Sequence, residues 1–463
     1  MNTKQLRQKI LDLAIRGKLV PQDPDDEPAS VLLERVRAEK ERLIKAGKIK
    51  RDKNDSVVFR DEDKSRGQLP DEWVWCRLGD ISAIVTDGEH LTPRRCKEYC
   101  GYYLLSARNI LDGAISLDDV DYVDDAEYAH ISRRCNPQRN DVLISCSGSV
   151  GRVAVVNDDS HYVMVRSAAM VRPIFLSSFY IMFALQSGFL QGQITSHKKQ
   201  VAQANLFQAE IKGLILPLPP LAEQKRIASA IESAFSVIDE IERNKTDLQS
   251  AVAATKSKIL SLAIRGKLVP QDPNDEPASV LLERIRAERE MLIKQGKIKR
   301  NKNDSTVVKS DNSYYENLPQ GWLLVRLDDI SGIIMGQSPS GESVTYNPNG
   351  IEFHQGKIYF TDRYLARSGQ YTAEANKVTE KDSVLLCVRA PVGIVNIADR
   401  NIAIGRGLCA ISPLGGISIE FVFHWLTAFQ DSFIKQATGT TFMAITTEVV
   451  RQQIIPLPAL FGL

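Results

Sequence analysis

The feature that most limits what this chain can fold into is that it repeats itself. Residues Ile10 to Val58 return as Ile259 to Val307 at a constant offset of 249, with eight differences in 49 positions. The same offset aligns Leu69, Pro70, Trp73, Arg77, Leu78, Asp80, Ile81 and Ser82 with Leu318, Pro319, Trp322, Arg326, Leu327, Asp329, Ile330 and Ser331. Past these positions identity collapses and only landmarks persist. Asp141 to Cys146 stands against Asp382 to Cys387, and Pro217-Leu218-Pro219 against Pro456-Leu457-Pro458. A repeat this long makes the chain an array of units, and 463 residues is roughly three common domain lengths. The expected organisation is an N-terminal scaffold repeat with helices and a basic arm (1–68), a first module (69–219), a central helical scaffold holding the second repeat (220–317), a second module (318–458) and a short truncated tail (459–463). A constant frame around divergent modules suggests a fixed scaffold carrying exchangeable readers.

The frame has a physical reading. Ile231, Ala234, Ile238, Ile241, Lys245, Leu248, Val252, Thr255, Ile259 and Leu262 step by alternating threes and fours, a coiled-coil seam broken at Lys245 and Thr255. Pro219-Pro220 and Gly266 are its start and stop signals, and at ~1.5 Å per residue the helix would be about 50 Å long. A single core helix in a bundle is the plainer alternative. The offset sets Leu6, Ile10 and Leu13 opposite Thr255, Ile259 and Leu262, so the first repeat holds only the last part of the seam. A counterpart of its beginning is expected after the second module, where Pro456 to Leu463 stands against Pro217 to Gln224. On this reading part of the apolar face lacks a partner, which predicts self-association through the exposed seam or weakened docking of one partner subunit. A second helix follows each seam, Pro28 to Lys45 and Pro277 to Lys294, closed by Gly47 and Gly296. The basic stretches from Lys48 and Lys297 read as solvated arms or phosphate or partner contacts.

Composition excludes several classes. With 43% hydrophobic and 25% charged residues the chain reads as soluble and globular. No apolar run approaches the ~18 residues of a membrane span and no signal-peptide core follows Met1, which predicts a cytoplasmic protein. Seven cysteines in that setting are expected to stay reduced, without a disulfide framework. Cys96, Cys100, Cys135 and Cys146 could form a thiolate zinc site, but the spacing lacks a CxxC pair and plain buried or surface thiols are the favoured reading. There is no Gly-x-x-x-x-Gly-Lys-Ser/Thr phosphate cradle. Asn347-Pro348-Asn349-Gly350 departs from the amino-methyltransferase signature and reads as a turn. Gly405-Arg406-Gly407-Leu408-Cys409-Ala410 runs into Ile411-Ser412-Pro413, which cannot open the helix a dinucleotide fingerprint requires. His90 has no partner pattern that would make it a base. No catalytic and no metal-binding residue is singled out.

The two-module layout, the stretch Leu216-Pro217-Leu218-Pro219-Pro220-Leu221-Ala222-Glu223-Gln224-Lys225-Arg226-Ile227 and the repeated LAIRGKLVPQDP resemble the specificity (S) subunit of type I restriction-modification enzymes. Asp87 to Pro93, Ser106 to Ile110 and Ser145 to Gly151 resemble one variety of that family's target recognition domain. Met335 to Pro339, Val388 to Gly393 and Ile404 to Gly407 resemble another. The resemblance implies two α/β (α+β) target recognition domains separated by long helices that form a coiled-coil scaffold. It implies a non-catalytic DNA-binding subunit in which each domain reads one half of a split double-stranded site. The helices would set the spacer and dock methyltransferase (M) subunits, with restriction/translocase (R) subunits held through them. Such a complex uses S-adenosylmethionine, and ATP and magnesium for restriction, none of them bound by this chain. The C-terminus departs from the family, which continues past the position of Pro458 into a second long helix.

For reading DNA, charge is a weak guide: 69–216 holds 14 Lys+Arg against 17 Asp+Glu, and 318–458 holds 11 against 12. Specific readers need only a few placed donors and acceptors, Arg or Lys for guanine and Asn or Gln for adenine. The candidates in the first module are Arg94, Arg95, Lys97, Arg108, Asn109, Lys198, Lys199, Gln200 and Gln203. In the second they are Gln337, Ser338, Lys357, Arg389, Arg406, Thr440 and Thr441. The rival readings are an enzyme, nuclease or methyltransferase, fused to a duplicated scaffold, and a structural protein-binding scaffold.

Overall fold

The computed structural model describes residues 2–51, 68–198, 205–296, 318–439 and 443–459, with the side chains of His197 and Lys198 left out. The chain divides into two compact units, Met1–Thr246 and Asp247–Leu463. Each unit holds one scaffold repeat and one module.

The scaffold helices form where their signals place them. Helix α1 (Thr3–Ala14) opens on an Asn2–Gln5 capping box, and α2 (Ala29–Lys45) follows Pro28, whose φ of −53° suits a helix entrance. The long helix α3 runs 44 residues, Leu221–Ile264. At ~1.5 Å per residue that is about 66 Å, longer than the expected length of about 50 Å, because it begins directly after the two prolines, ten residues before the seam's Ile231. It starts right after Pro219-Pro220 and stops before Gly266, which takes the left-handed φ of +62°. Helix α4 (Ala278–Lys294) repeats α2. On the expected seam Ile231 and Ile238 are buried, whereas Ile241, Leu248, Val252 and Ile259 are exposed. The partner of the buried part is α1, where Arg7 pairs with Asp239 and lies over the Phe235 ring at 4.8 Å. Of the first basic arm, Lys48 to Arg51 are described and Arg51 pairs with Glu41 at 2.6 Å; its remaining residues and the whole arm from Lys297 lie outside the described residues.

Each module is closed by an antiparallel clasp of its first and last strands. Val74–Arg77 pairs with Ile215–Leu218, Val74 opposite Leu218 and Arg77 opposite Ile215. Leu323–Arg326 pairs with Ile454–Leu457 in the same way. Inside the clasp lies a four-stranded antiparallel sheet. In unit 1 its strands are β1 (Ser82–Asp87), β2 (Val142–Ser145), β3 (Val153–Val155) and β4 (Ala168–Pro173), in the order β1-β4-β2-β3. In unit 2, β5 (Ser331–Met335), β6 (Ser383–Cys387), β7 (Val395–Ala398) and β8 (Leu408–Pro413) repeat that order as β5-β8-β6-β7. These strands read as unbroken apolar runs because both faces are buried. Val142, Ile144, Ala169 and Val171 join the core containing Leu11, Leu32 and Val36 of the scaffold helices. Leu143, Ala168 and Met170 point the other way, into a second core under a smaller sheet that includes the parallel strands Tyr102–Leu105 and Tyr162–Met164. Unit 2 alternates likewise, Val384 and Leu386 toward the scaffold and Leu385 and Cys387 away from it. Scaffold and module therefore share one core in each unit.

Residues 177–194 and 419–436 each hold two helices. Ser187 leaves the helical region at ψ 154° after Ser178–Gln186, and its hydroxyl accepts from Leu190 N–H, starting the next helix. The break in unit 2 falls at Phe429. One sequence expectation is corrected: the alignment of Asp141 with Asp382 is one residue out. Asn140 and Asp382 are the equivalent turn residues, both at positive φ (72° and 62°), so Asp141 corresponds to Ser383. Asp141 is buried and receives Arg172 Nε at 2.8 Å and Nη2 at 2.6 Å. At the same two places unit 2 joins Ser383 Oγ to Ser412 Oγ at 2.8 Å. An ion pair with a buried carboxylate and a hydroxyl pair thus occupy one location on the sheet.

That exchange predicts an asymmetric mutational response. Asp141→Ser alone should leave the half-buried Arg172 guanidinium with Asn136 O as its remaining acceptor and destabilise unit 1 by about 1–3 kcal/mol. Adding Arg172→Ser should recover most of that loss, which urea unfolding of the single and double variants will measure.

Candidate nucleic-acid interface

The two modules bring three loops together at the same end of their sheets. The first leaves β1 or β5, and Gly88 and Gly336 occupy equivalent places on it. Gly88 N–H donates to Ala168 O at 3.0 Å and Glu89 N–H to Met164 O at 2.7 Å. Gly336 N–H donates to Leu408 O at 2.9 Å and Gln337 N–H to Ile404 O at 3.0 Å. A Cβ on Gly88 would sit 2.2 Å from Met164 O, and one on Gly336 2.1 Å from Gly405 O, so the loop lies against its neighbour only as glycine. The second loop follows β2 or β6, where Cys146 N–H reaches Ser167 O at 2.7 Å and Val388 N–H reaches Gly407 O at 3.0 Å. The third precedes β4 or β8 and supplies those acceptors.

In the first module the cationic candidates are solvent-facing and held by carboxylates. Arg94 Nε meets Glu127 at 3.4 Å with its side chain 80% exposed. Arg95 and Arg108 share Asp121, each at 3.0 Å, and Arg108 also reaches Asp119 at 3.4 Å. Pairs this exposed are worth about 0–1 kcal/mol each, so exchanging a carboxylate for a phosphate or a guanine edge costs little. Lys97 is exposed. Asn109 is a correction. It is 2% exposed, its Oδ1 accepts from Ser106 N–H and Oγ at 3.0 Å, and its amide donates to Ser116 O at 3.2 Å. With donors and acceptor engaged inside the loop, it shapes the turn that presents Arg108 and is not a base reader. The Lys198 side chain and Lys199, Gln200 and Gln203 lie outside the described residues, as do Thr440 and Thr441.

In the second module the structure gathers Gln337, Ser338, Arg406, Arg389 and Lys357. Ser338 Oγ donates to Gln355 Oε1 at 2.8 Å and accepts from Arg406 N–H at 3.3 Å. Gln337, Lys357, Arg389 and Arg406 are all exposed.

Sequence reasoning passed over two clusters. Asp87 accepts from Arg134 Nη2 and Gln208 Nε2, each at 2.5 Å, and contacts His90 Nε2 at 2.7 Å. Burial pushes its carboxyl up, and the bonds from Arg134, His90 and Gln208 outweigh that, leaving it below the usual range. Arg134 and Gln208 come from remote segments, which no local spacing announces, whereas His90 lies three residues on from Asp87 and the local spacing alone offered that pair. The second cluster is buried: Glu352 accepts from Arg400 Nε at 2.7 Å, Arg367 Nη1 at 2.9 Å and Ser368 N–H at 2.7 Å, and contacts His354 Nε2 at 3.2 Å. Burial raises the Glu352 carboxyl, but Arg400, Ser368 and Arg367 bring it down to about 2. Burial lowers His354 to about 4 against the pull of Glu352. His354 occupies the place of the buried Leu105 of the first module, next to the parallel partner strand.

The cysteines also differ from expectation. Cys96 and Cys100, in the first loop among Arg94, Arg95 and Lys97, form a disulfide. Cys135 and Cys146 are buried free thiols, and burial pushes Cys146 up to about 12. The four cysteines do not form one metal site. Among the described residues no cluster of three His, Cys, Asp or Glu is placed to hold a metal.

Loops that vary at the tip of a repeated sheet, set on a repeated helical frame, define a modular recognition protein. The sequence model of the type I restriction modification DNA specificity domain matches residues 70–249 and 319–461, and the chain belongs to that family. It is 32% identical over 391 residues to the type I restriction enzyme EcoAI specificity subunit of Escherichia coli, covering 74% of this chain and 64% of that one. To the putative MjaX specificity subunit of Methanocaldococcus jannaschii it is 28% identical over 405 residues, 85% of each. The match thus spans somewhat under two thirds of the EcoAI relative. Among solved structures, a chain from a study of type I R-M complex assembly and conformational transition superposes with a TM-score of 0.58 at 22% identity, covering 85% of this chain and 88% of that one. An HsdS subunit from Thermoanaerobacter tengcongensis gives 0.50 at 22% identity, over 86% and 87%. These two establish the fold.

The buried His354 makes a pH prediction. Its folded pKa lies below the unfolded value near 6.5, so the unfolded chain takes up the proton first as pH falls. Unit 2 should lose stability from about pH 6.5 to 4, by at most about 1.4 kcal/mol per unit. The depressed Glu352 should then remove more below about pH 4.5. Thermal melts of His354→Leu, which copies Leu105, should be flat across the upper window.

Proposed function

We propose that the chain is the sequence-specific DNA-binding subunit of a type I restriction-modification complex. Each module reads one half of a split double-stranded site through its three convergent loops. The observation that carries this reading is that the same loops converge on the same glycine-backed contact in both modules while carrying different polar side chains. A shared frame with different donors is what two half-sites of different sequence require. Arg94, Arg95, Lys97 and Arg108 are the base or phosphate contacts of the first half, and Gln337, Ser338, Lys357, Arg389 and Arg406 those of the second.

The scaffold helices set the spacer and dock the methyltransferase subunits, and the restriction subunits attach through them. This reading assigns S-adenosylmethionine, and ATP and magnesium for restriction, to those partners. The chain itself contributes recognition, a non-catalytic role supported by its membership of the DNA specificity domain family and its similarity to specificity subunits. Among the described residues no helix is long and apolar enough to cross a membrane. We place the complex in the cytoplasm, where its DNA would be.

Purified alone, the chain should bind DNA without methylating or cutting it, and cognate methyltransferase with S-adenosylmethionine should restore site-specific methylation. Exchanging 69–219 for another module should change one half of the methylated sequence and leave the other half and the spacer as they were. Arg406→Ala or Arg389→Ala should cost about 1–3 kcal/mol of binding at a base-reading contact, confined to the second half. Arg108→Ala should act on the first half alone. Competition with half-scrambled duplexes reads both, and a substitution that weakened both halves equally would overturn the assignment of halves.

A further inference from the structure

The same short turn follows the same strand in both modules, and its middle residue differs in kind. Leu105 and His354 end equivalent strands, each beside a parallel partner. A single 3-10 turn comes next, Ala107–Asn109 in the first module and Lys357–Tyr359 in the second, which has one more residue leading in. Ile110 N–H closes the first turn on Ala107 O, and Phe360 N–H closes the second on Lys357 O at 2.9 Å. The third residue of each turn faces inward. Asn109 is buried and bonded within its loop, and Tyr359 packs on the core that includes Leu385 and Leu408, its ring edge-on to His354 at 5.6 Å. The middle residue faces out. In the first module it is Arg108, its side chain 47% exposed. In the second it is Ile358, 84% exposed, more than any other large hydrophobic residue among those described.

The turn that carries Ile358 is held at both ends. After it, Ala366 N–H donates to Tyr359 O at 2.9 Å. Before it, Gln355 Oε1 accepts from Ser338 Oγ at 2.8 Å, and Gly405 N–H donates to His354 O at 2.8 Å. These bonds fix the turn against the loops that carry Gln337, Ser338 and Arg406. Ile358 therefore stands among groups that suit base edges in a major groove, glutamine for adenine and arginine for guanine. Its own side chain has no donor and no acceptor, and branching at Cβ leaves it little rotamer freedom to lose on contact. The one methyl group on those edges is the C5 methyl of thymine. We infer that Ile358 is a specificity-determining residue that reads a thymine of the second half-site by covering this methyl, at the place where the first module offers the Arg108 guanidinium. The inference rests on the proposed DNA-reading function and assigns to that surface one base and a contact that is not a hydrogen bond.

Uracil is thymine without the methyl and pairs in the same way, so replacing each thymine of the site by uracil in turn isolates the contact. The duplexes carry the site found by methylation sequencing, and the whole chain with its cognate methyltransferase is titrated against them by anisotropy. One uracil in the second half should weaken binding about fourfold, the effect of losing one buried methyl at ~0.8 kcal/mol. Ile358→Ala should bind that uracil duplex and the thymine duplex equally well, and Ile358→Val should keep part of the difference. The thymine-to-uracil ratio within each variant is independent of any change in its folded fraction. Two results would overturn the inference and leave the DNA-reading function standing: uracil without effect throughout the second half, or a uracil effect that Ile358→Ala retains in full, as it would if the side chain were a wedge between bases. Absence of any site-specific binding by the unsubstituted complex would overturn both.

Discussion

Everything in each unit depends on the clasp between the module's first and last strands. Four residue pairs, from Val74 with Leu218 to Arg77 with Ile215, bring the two ends of the module side by side. The clasp is buried at its centre, where the Tyr180 hydroxyl donates to Pro217 O at 2.6 Å. Because the ends are tied together at the base, loops at the far end of the sheet can differ between units without moving the scaffold helices. The alternation of the central strands completes the arrangement: one face is committed to the scaffold core and the other to the smaller sheet. Sequence change is thereby directed to the tip.

Much of the frame was legible in the sequence. The proline and glycine signals bounded α2, α3 and α4 to within a few residues, since those residues act through local backbone geometry. The loss of repeat register after Ser82 and Ser331 has a specific cause. In unit 1, Arg172 pairs with Ile84 and Pro173 with Ser82, so Ala83 is an extra, bulged residue. In unit 2, β5 and β8 pair without interruption from Ser331–Pro413 to Met335–Cys409. One inserted residue turns an offset of 249 at Ser82 into 248 at Gly88. A bulge leaves no signature in residue type, and only the pairing reveals it. The misplaced alignment of Asp141 has a similar origin, because an aspartate in each strand entrance attracted the match while backbone conformation belonged to Asn140 and Asp382.

The interface was less legible than the frame. Arg94, Arg95, Arg108, Arg389 and Arg406 were found by residue type, and the structure puts all of them on the exposed loop side. Asn109 has the right chemistry for adenine, yet its amide is spent inside its own turn. Residue type cannot separate a donor that faces solvent from one that holds a loop. Asp87 with Arg134 and Gln208, and Glu352 with Arg400, join residues far apart in sequence, which the topology alone assembles.

The clasp has a mechanical consequence. Val74, where the chain enters the module, and Leu218, where it leaves, are opposite each other at one end of the ladder. Tension between the flanking helices would therefore peel the clasp open pair by pair, like a zip, instead of shearing all of its bonds at once. The four-stranded sheet above lies outside that line of force. A module strained through its scaffold would detach at the base while its reading surface kept its shape.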